Sequence, residues 1–262
     1  MSEHVPGLDT SKPSSARFWD YLLGGKDNYA IDRTAAERTL EVFPQLRDSA
    51  RADRAFLGRA VRLLAGEKEV RQFLDIGTGL PTADNTHQVA QWVAPQSRIV
   101  YVDNDPTVML HAKALLTSDP RGFTGYIEAD VRDPRTILDG AAQSLDFTRP
   151  IALMLLGILN FVPDDEQATD VVDQLVGALA PGSYLVLAHP TEEVHSEAQA
   201  ATMRAWNASG APPITARDPR RISRFFDGLN LLEPGVVSAT QWRPSKPTDE
   251  IVTQYVAVGV KP

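Results

Sequence analysis

The 262-residue chain has no cysteine. Disulfides, thiolate nucleophiles and thiolate metal ligands are thereby excluded, and the composition suits a reducing, cytoplasmic setting. No apolar run approaches the roughly 20 residues of a bilayer-spanning helix. The longest lies near 151–159. The opening MSEHVPGLDTSKPSS lacks an apolar core, so no signal peptide is expected. Basic charge is also short: 26 Lys and Arg against 34 Asp and Glu leave a net −8. Residues 1–70 carry 11 of each sign, so residues 71–262 hold the entire excess. Nucleic-acid affinity rests on a basic stripe that meets phosphates. Neither a nucleic acid nor a membrane is therefore an expected partner.

Hydrophobic residues make up 43% and charged residues 23%, which suits a globular chain with a sizeable core. Residues 1–12 read as a polar, flexible tail. From Ser14 to about Leu64 the pattern is helical. SSARFWDYLLGG runs from a serine cap to a Gly24-Gly25 stop, and DRTAAERTLEVF follows it. After Pro44 an apolar stripe through Leu46, Ala50, Phe56, Leu57, Ala60, Leu63 and Leu64 ends at Gly66. Beyond it, strand-like runs at Gln72–Ile76, Arg98–Val102, Thr124–Ala129, Ile151–Leu156 and Tyr184–Ala188 alternate with helical stretches. Those stretches are Asn85–Val93, Pro106–Thr117, Pro134–Ala142 and Asp164–Leu179. Such alternation predicts a parallel sheet with crossover helices. Val236–Trp242 and Ile251–Val260 read as a final antiparallel pair.

Three acidic strand ends carry the chemistry. Asp75-Ile76-Gly77-Thr78-Gly79 closes the first strand. Glycine there lets a ligand approach the backbone, and the next helix favours an anionic group at its N-terminus. The group could be a carboxylate or a pyrophosphate. A dinucleotide fingerprint would need a third glycine, and Thr82 stands in its place, after Pro81. Asp103, 28 residues after Asp75, ends the second strand and can accept ribose hydroxyls, with Asn104 beside it. Asp105-Pro106 reads as a helix cap. Asp130, 27 residues further on, ends the third strand; its carboxylate and the Val131 amide can meet an adenine.

FLDIGTGLPT, VYVDNDP and EADVRDP resemble the first three motifs of class I S-adenosylmethionine (SAM)-dependent methyltransferases. Together with SSARFWDYLLGGKDNYAIDRTAAE they resemble an actinobacterial S-adenosyl methyltransferase family long catalogued as a domain of unknown function. The resemblance runs from about Ser14 to Val260. It implies a Rossmann-like α/β sheet, mostly parallel with an antiparallel last strand, and SAM as the cofactor. It implies no acceptor.

The expected organisation is a helical extension or lid over 1–69 and a SAM-binding domain over 70–262. The cofactor set is Asp75, Gly77, Thr78, Gly79, Asp103, Asn104, Asp130, Val131 and Leu156, with Tyr21 and Asn28 reaching over from the lid and Arg17 nearby. The bland alternative docks Tyr21 on the core and uses Asn28 in a turn. Asn160 and Phe161 follow the fourth strand. No Asn/Asp-Pro-Pro-aromatic sequence stands there, so methylation of bases or glutamine loses support. His189, at the end of the fifth strand, is a weak candidate for a general base. A metal site built on His189, Glu192, Glu193 and His195 lacks a ligand pattern, and none is expected. Arg217, Arg220, Arg221 and Arg224 read as a solvated helix face, with Phe225 and Phe226 turned inward. The acidic core favours a small-molecule acceptor. A non-catalytic SAM-binding protein and a nicotinamide-dependent oxidoreductase remain as rivals.

Overall fold

In the computed structural model, residues 11–81, 84–115 and 118–262 are described; residues 1–10 of the tail expected over 1–12, Thr82 and the helix end at Thr117 lie outside them. Three helices come first: α1 (Ser15–Leu22), α2 (Ala30–Val42) and α3 (Leu46–Arg62), the last continuing into a wider π turn over Leu63–Glu67. Strands and helices then alternate as β1 (Gln72–Ile76), α4 (Thr86–Val93), β2 (Arg98–Asp103), α5 (Pro106–Leu115), β3 (Phe123–Glu128), α6 (Pro134–Ala141), β4 (Ala152–Leu156), a 3-10 turn over Leu159–Phe161, α7 (Asp165–Gly177) and β5 (Tyr184–Pro190). The chain closes with α8 (Ser196–Asn207), α9 (Pro219–Arg224), β6 (Asn230–Leu231), β7 (Val237–Ser238) and β8 (Gln254–Val260).

The sheet order is β3-β2-β1-β4-β5-β8-β6, with β7 also paired to β8. The first five strands are parallel, and β8 runs antiparallel to β5. Successive residues of a strand face opposite sides, and both sides are apolar here. Leu74, Val100, Leu153 and Leu185 pack with Ile137, Val171, Val172 and Ile222 of α6, α7 and α9. Phe73, Ile99, Met154 and Val186 pack on the other side with Phe56, Leu57 and Val61 of α3 and Val89 of α4. Two buried faces explain why these strands read as continuous apolar runs. Strand order reverses between β1 and β4, which opens a crevice at their carboxyl ends.

The expected pair over 236–242 is shorter than its apolar content suggests. Only Val237 and Ser238 join the sheet, and Asn230–Leu231 adds a short strand that the sequence reading left out. The Ser238 side chain accepts the Val252 N–H, and Arg59 takes the carbonyls of Ala239 and Trp242. The Ala239 N–H still donates to the Gln254 carbonyl of β8 at 2.8 Å, and beyond it Arg59 supplies the donors that a continuing strand would have drawn from a neighbour. Trp242 is buried instead against Phe56, edge to face at 5.1 Å.

Helices α1 and α2 form their own cluster. Phe18, Leu22, Ala36, Phe43, Leu46 and Ala50 pack around Trp206 of α8. Phe18 and Trp206 meet edge to face at 5.1 Å. The N-terminal helices are thus held both by α3 and by the excursion after β5. Among the described residues no helix is long and apolar enough to cross a membrane.

Candidate functional site

After Ile76, β1 gives way to a turn in which Gly77 and Gly79 take φ values of +79° and +66°. L-residues with a Cβ disfavour that region, and a Cβ on Gly77 would stand 2.8 Å from Ile158. The Gly77 N–H donates to the Val102 carbonyl at 2.8 Å and ties the turn to β2. The Gly79 N–H donates to Asp103 Oδ2 at 2.9 Å, and the Asp105 N–H donates to Oδ1 at 2.9 Å. Asp103 is therefore oriented by backbone donors, and burial lifts its carboxyl above the usual range. Among the described residues no Lys or Arg forms an ion pair with it.

Asp105 caps α5 by accepting the Thr107 N–H at 2.8 Å. Its other oxygen accepts the Ser14 hydroxyl at 3.1 Å, which anchors the N-terminal segment to the crevice. Asp32 holds that segment from behind, through the Ser14 N–H at 2.9 Å and Arg17 Nε at 2.7 Å. Arg17 and Asp32 are both buried. Asp20, on the same face of α1, is fixed by Asn28 Nδ2 at 2.7 Å and the Asp27 N–H at 3.0 Å.

The result is a cleft of about 500 Å³ between the strand ends, α1, α3 and residues 210–213. Its floor includes two acids, the buried Asp75 and the half-buried Asp53. Asp75 accepts the Thr86 hydroxyl at 2.6 Å, and burial pushes its carboxyl up to about 6. Asp53, from α3, has its carboxyl pushed up to about 6 by burial as well, and its Oδ1 has no hydrogen-bond partner. Arg54 lies beside it and donates to the Asp84 carbonyl at 3.2 Å. At the far end Asp130 receives four donors. Arg132 supplies its N–H and Nε to Oδ1 and its Nη2 to Oδ2, and Asn104 Nδ2 reaches Oδ2 at 3.0 Å. The Arg132 fork holds the Asp130 carboxyl down at about 2.

A glycine turn with an acid at each of the next two strand ends can serve more than one adenosine ligand, and similarity to known proteins decides between them. A sequence model described as S-adenosyl methyltransferase matches residues 1–262. The chain belongs to this family. A solved structure from Streptomyces avermitilis, described as a DUF574 family protein, is 42% identical. It covers 97% of this chain and 99% of its own, with a TM-score of 0.92. A candidate methyltransferase from Thermobifida fusca is also 42% identical, covering 100% and 99%, with a TM-score of 0.91. The N-methyltransferase NodS from Bradyrhizobium japonicum shares the fold at 18% identity and a TM-score of 0.50, covering 82% and 97%. A comparison with curated proteins finds no match. The chain is a SAM-dependent methyltransferase, with SAM as its cosubstrate and the Rossmann-like fold expected of it.

The methyltransferase cleft gathers most of the residues expected to hold SAM: Asp75, Gly77, Thr78, Gly79, Asp103, Asn104, Asp130, Val131 and Leu156 all line it. Tyr21 and Asn28 do not. Tyr21 points outward, where its hydroxyl meets Glu37 at 3.1 Å and Arg47 lies over its ring at 6.0 Å. Asn28 is buried in the turn after α1, where it supports Asp20. The polar part of the α1 face that meets the cleft is Ser15, Arg17 and Asp20, with Ala16 and Trp19 beside them, because Phe18 and Leu22 turn into the helical cluster.

His189 also departs from its expected place. It is fully buried behind the strand ends, with Nδ1 donating to the Pro190 carbonyl at 2.9 Å and Nε2 accepting from Arg217 at 2.8 Å. Burial lowers its pKa to about 3. Both nitrogens are engaged, and no face reaches the cleft, so a base role has no geometry to support it. Arg217, expected on a solvated face, is buried as well. Its guanidinium binds Asp165, the Leu159 carbonyl and the Val162 carbonyl, clamping the 3-10 turn to β5. Arg220 and Arg224 do face solvent, and Phe225 and Phe226 are inward.

Sequence reasoning missed Ser14, Trp19, Asp20, Asp53, Arg54 and Arg132 as cleft residues. One signal existed for α3. Asp53 and Arg54 lie between Ala50 and Leu57 on one helical face, so charge interrupts an otherwise apolar stripe.

Proposed function

We propose that this methyltransferase acts on a small-molecule acceptor and holds SAM with the cleft residues named above. The observation that carries the reading is the acidic floor. Asp53, Asp75 and Asp103 converge on one cleft, all raised by burial, and Asp53 keeps an unpartnered buried oxygen. Buried acids of this kind want a cation or a donor, and SAM carries a sulfonium and an ammonium. A neutral or anionic dinucleotide would offer its ribose hydroxyls to Asp103 but no positive charge to Asp53 and Asp75.

In this reading Asp103 takes the ribose hydroxyls, oriented by the Gly79 and Asp105 amides. Gly77 and Gly79 let the ligand pass close to the backbone. Asp53 and Asp75 face the cationic end, and Arg54 holds the carboxylate. Val131 and Leu80 form apolar walls for the adenine, with Asp130 at its amino edge. Arg132 is half exposed, so its pairing with Asp130 yields to a ligand at small cost.

SAM supplies an activated methyl group together with its leaving group. The protein's part is then to bring acceptor and methyl into line and exclude water. Helix α1, anchored by Ser14 and Arg17, covers the cleft and supports a lid role for residues 1–69. The roughly 500 Å³ enclosed there suits a small acceptor, since ligand pockets generally span ~300–1,000 Å³. The cysteine-free chain is assigned to the cytoplasm on the same footing.

The test is release of S-adenosylhomocysteine (SAH) from SAM in the presence of small-molecule pools, compared with protein, RNA and DNA acceptors. Turnover with a small-molecule fraction is expected. Turnover confined to a macromolecule would refute the acceptor class.

A further inference from the structure

A second, smaller cavity of about 70 Å³ lies beside the cleft. Ser15, Trp19, Gly157 and Phe161 line both, so the two share a wall at the end of β4. The small cavity is largely apolar and aromatic, and no Asp, Glu, Lys, Arg or His contributes to its lining among the described residues. Three of the residues that line it each carry a side-chain atom buried without a hydrogen-bond partner: Asn160 Oδ1, Gln199 Oε1 and Thr202 Oγ1. Asn160 is 7% exposed and Gln199 4%. The three come from separate elements. Asn160 sits in the 3-10 turn after β4, while Gln199 and Thr202 lie three residues apart on one face of α8.

Buried polar groups in folded proteins find partners, and an unpaired one destabilises the fold. Three around one small cavity mark a place where the partner comes from outside the chain, as ordered water or as the polar group of a ligand that displaces it. Their chemistry limits that partner. Two carbonyl oxygens need donors, and a hydroxyl can both give and accept. A charged group would lie there without a counter-ion, which a small apolar cavity disfavours strongly.

We propose that this cavity is the polar end of the acceptor subsite, and that it receives the uncharged N–H or O–H donor group of an acceptor whose small apolar or aromatic body extends into the adjoining cleft. The inference rests on the reading of the larger cleft as the SAM site. Asn160, Gln199 and Thr202 are then the residues that determine acceptor specificity. An acceptor nitrogen or oxygen seated there uses its lone pair to form the bond to the methyl carbon. The sulfur–methyl bond breaks with its electron pair left on sulfur, and the acceptor's proton passes to water through the cleft.

The experiment uses the full chain saturated with SAH, probed by ligand-observed NMR with phenol, aniline, benzene and benzoate. Phenol and aniline are expected to bind at least tenfold more tightly than benzene or benzoate. Asn160→Leu or Gln199→Met should lower that affinity at least tenfold, keep SAH affinity within twofold, and melt no lower than the parent. Thr202→Val is the milder variant should either of those fail to fold. Equal binding of benzene, no effect of any folded variant, or no fragment bound to a protein that binds SAH would each overturn the subsite. Wild-type protein that fails to bind SAH would instead overturn the cleft reading beneath it.

Discussion

Acidification should weaken SAM binding, and the size of the effect follows from two carboxyls. Asp53 and Asp75 stand at about 6 against an ordinary 3.8, both chiefly through burial. A folded-state pKa raised this way means that the ligand-free protein holds these protons more tightly than the unfolded chain. Their contribution to stability therefore falls as the pH rises from about 4 to about 6. A cationic ligand binds the ionised form, so its affinity moves the opposite way. At pH 5 a group at about 6 is only about one-tenth ionised, which costs a dependent ligand about tenfold in affinity. Two such groups cost about a hundredfold, or about 2.7 kcal/mol, between pH 7.5 and pH 5. Asp53→Asn removes one of them and should cut the change to about tenfold while lowering affinity at pH 7.5. Isothermal titration of SAM at fixed ionic strength, with circular dichroism to confirm the fold, measures this directly. A flat affinity across that range, or an unaltered slope in Asp53→Asn, would refute the account of the acidic floor.

Other consequences follow from groups away from that floor. Arg217→Met strands the Leu159 and Val162 carbonyls and His189 Nε2, while Asp165 keeps Arg221. A loss of about 3–5 kcal/mol is expected, seen as a melting point lower by at least ~6 °C; a shift under ~2 °C would contradict the clamp. His189 should stay neutral as the Nδ1–H tautomer from pH 8 to pH 5, because burial lowers its pKa to about 3. Its depressed pKa withdraws stability as the pH falls below about 6.5, and an imidazole NMR titration near that value would disprove its burial. Gly77→Ala places a Cβ 2.8 Å from Ile158 on a residue with φ +79°. It should destabilise the fold by about 1–3 kcal/mol and weaken SAH binding; the double variant with Ile158→Ala should recover only the steric part.

The sheet was legible because its signals are local. Gln72–Ile76 reads as a strand from five residues, and it is one. The strand-end acids at 75, 103 and 130 fell where the sheet places its carboxyl edge, since regular alternation of strand and helix fixes their spacing. What escaped depends on distant partners. Nothing within α1 says that Arg17 and Asp20 turn inward while Tyr21 turns out. Asp32 and Asn28, which satisfy the inward pair, arrive with the next helix and turn. His189 reads as a strand-end histidine at a cleft mouth, yet Arg217 closes over it from 28 residues away. The same arginine reads as one of a solvated cluster until its partner Asp165, 52 residues earlier, is placed beside it. Strand β7 was overestimated because Arg59, some 180 residues upstream, satisfies the carbonyls that a longer strand would have paired.

The most direct test of the SAM site is the SAH affinity of Asp103→Ala. In the parent this carboxylate is aimed into the cleft by the Gly79 and Asp105 amides. Two charge-assisted hydrogen bonds to the ribose are worth roughly 3–6 kcal/mol together. The account predicts a folded variant whose SAH affinity, measured by titration calorimetry, falls at least a hundredfold. A folded Asp103→Ala protein that binds SAH within threefold of the parent would contradict it.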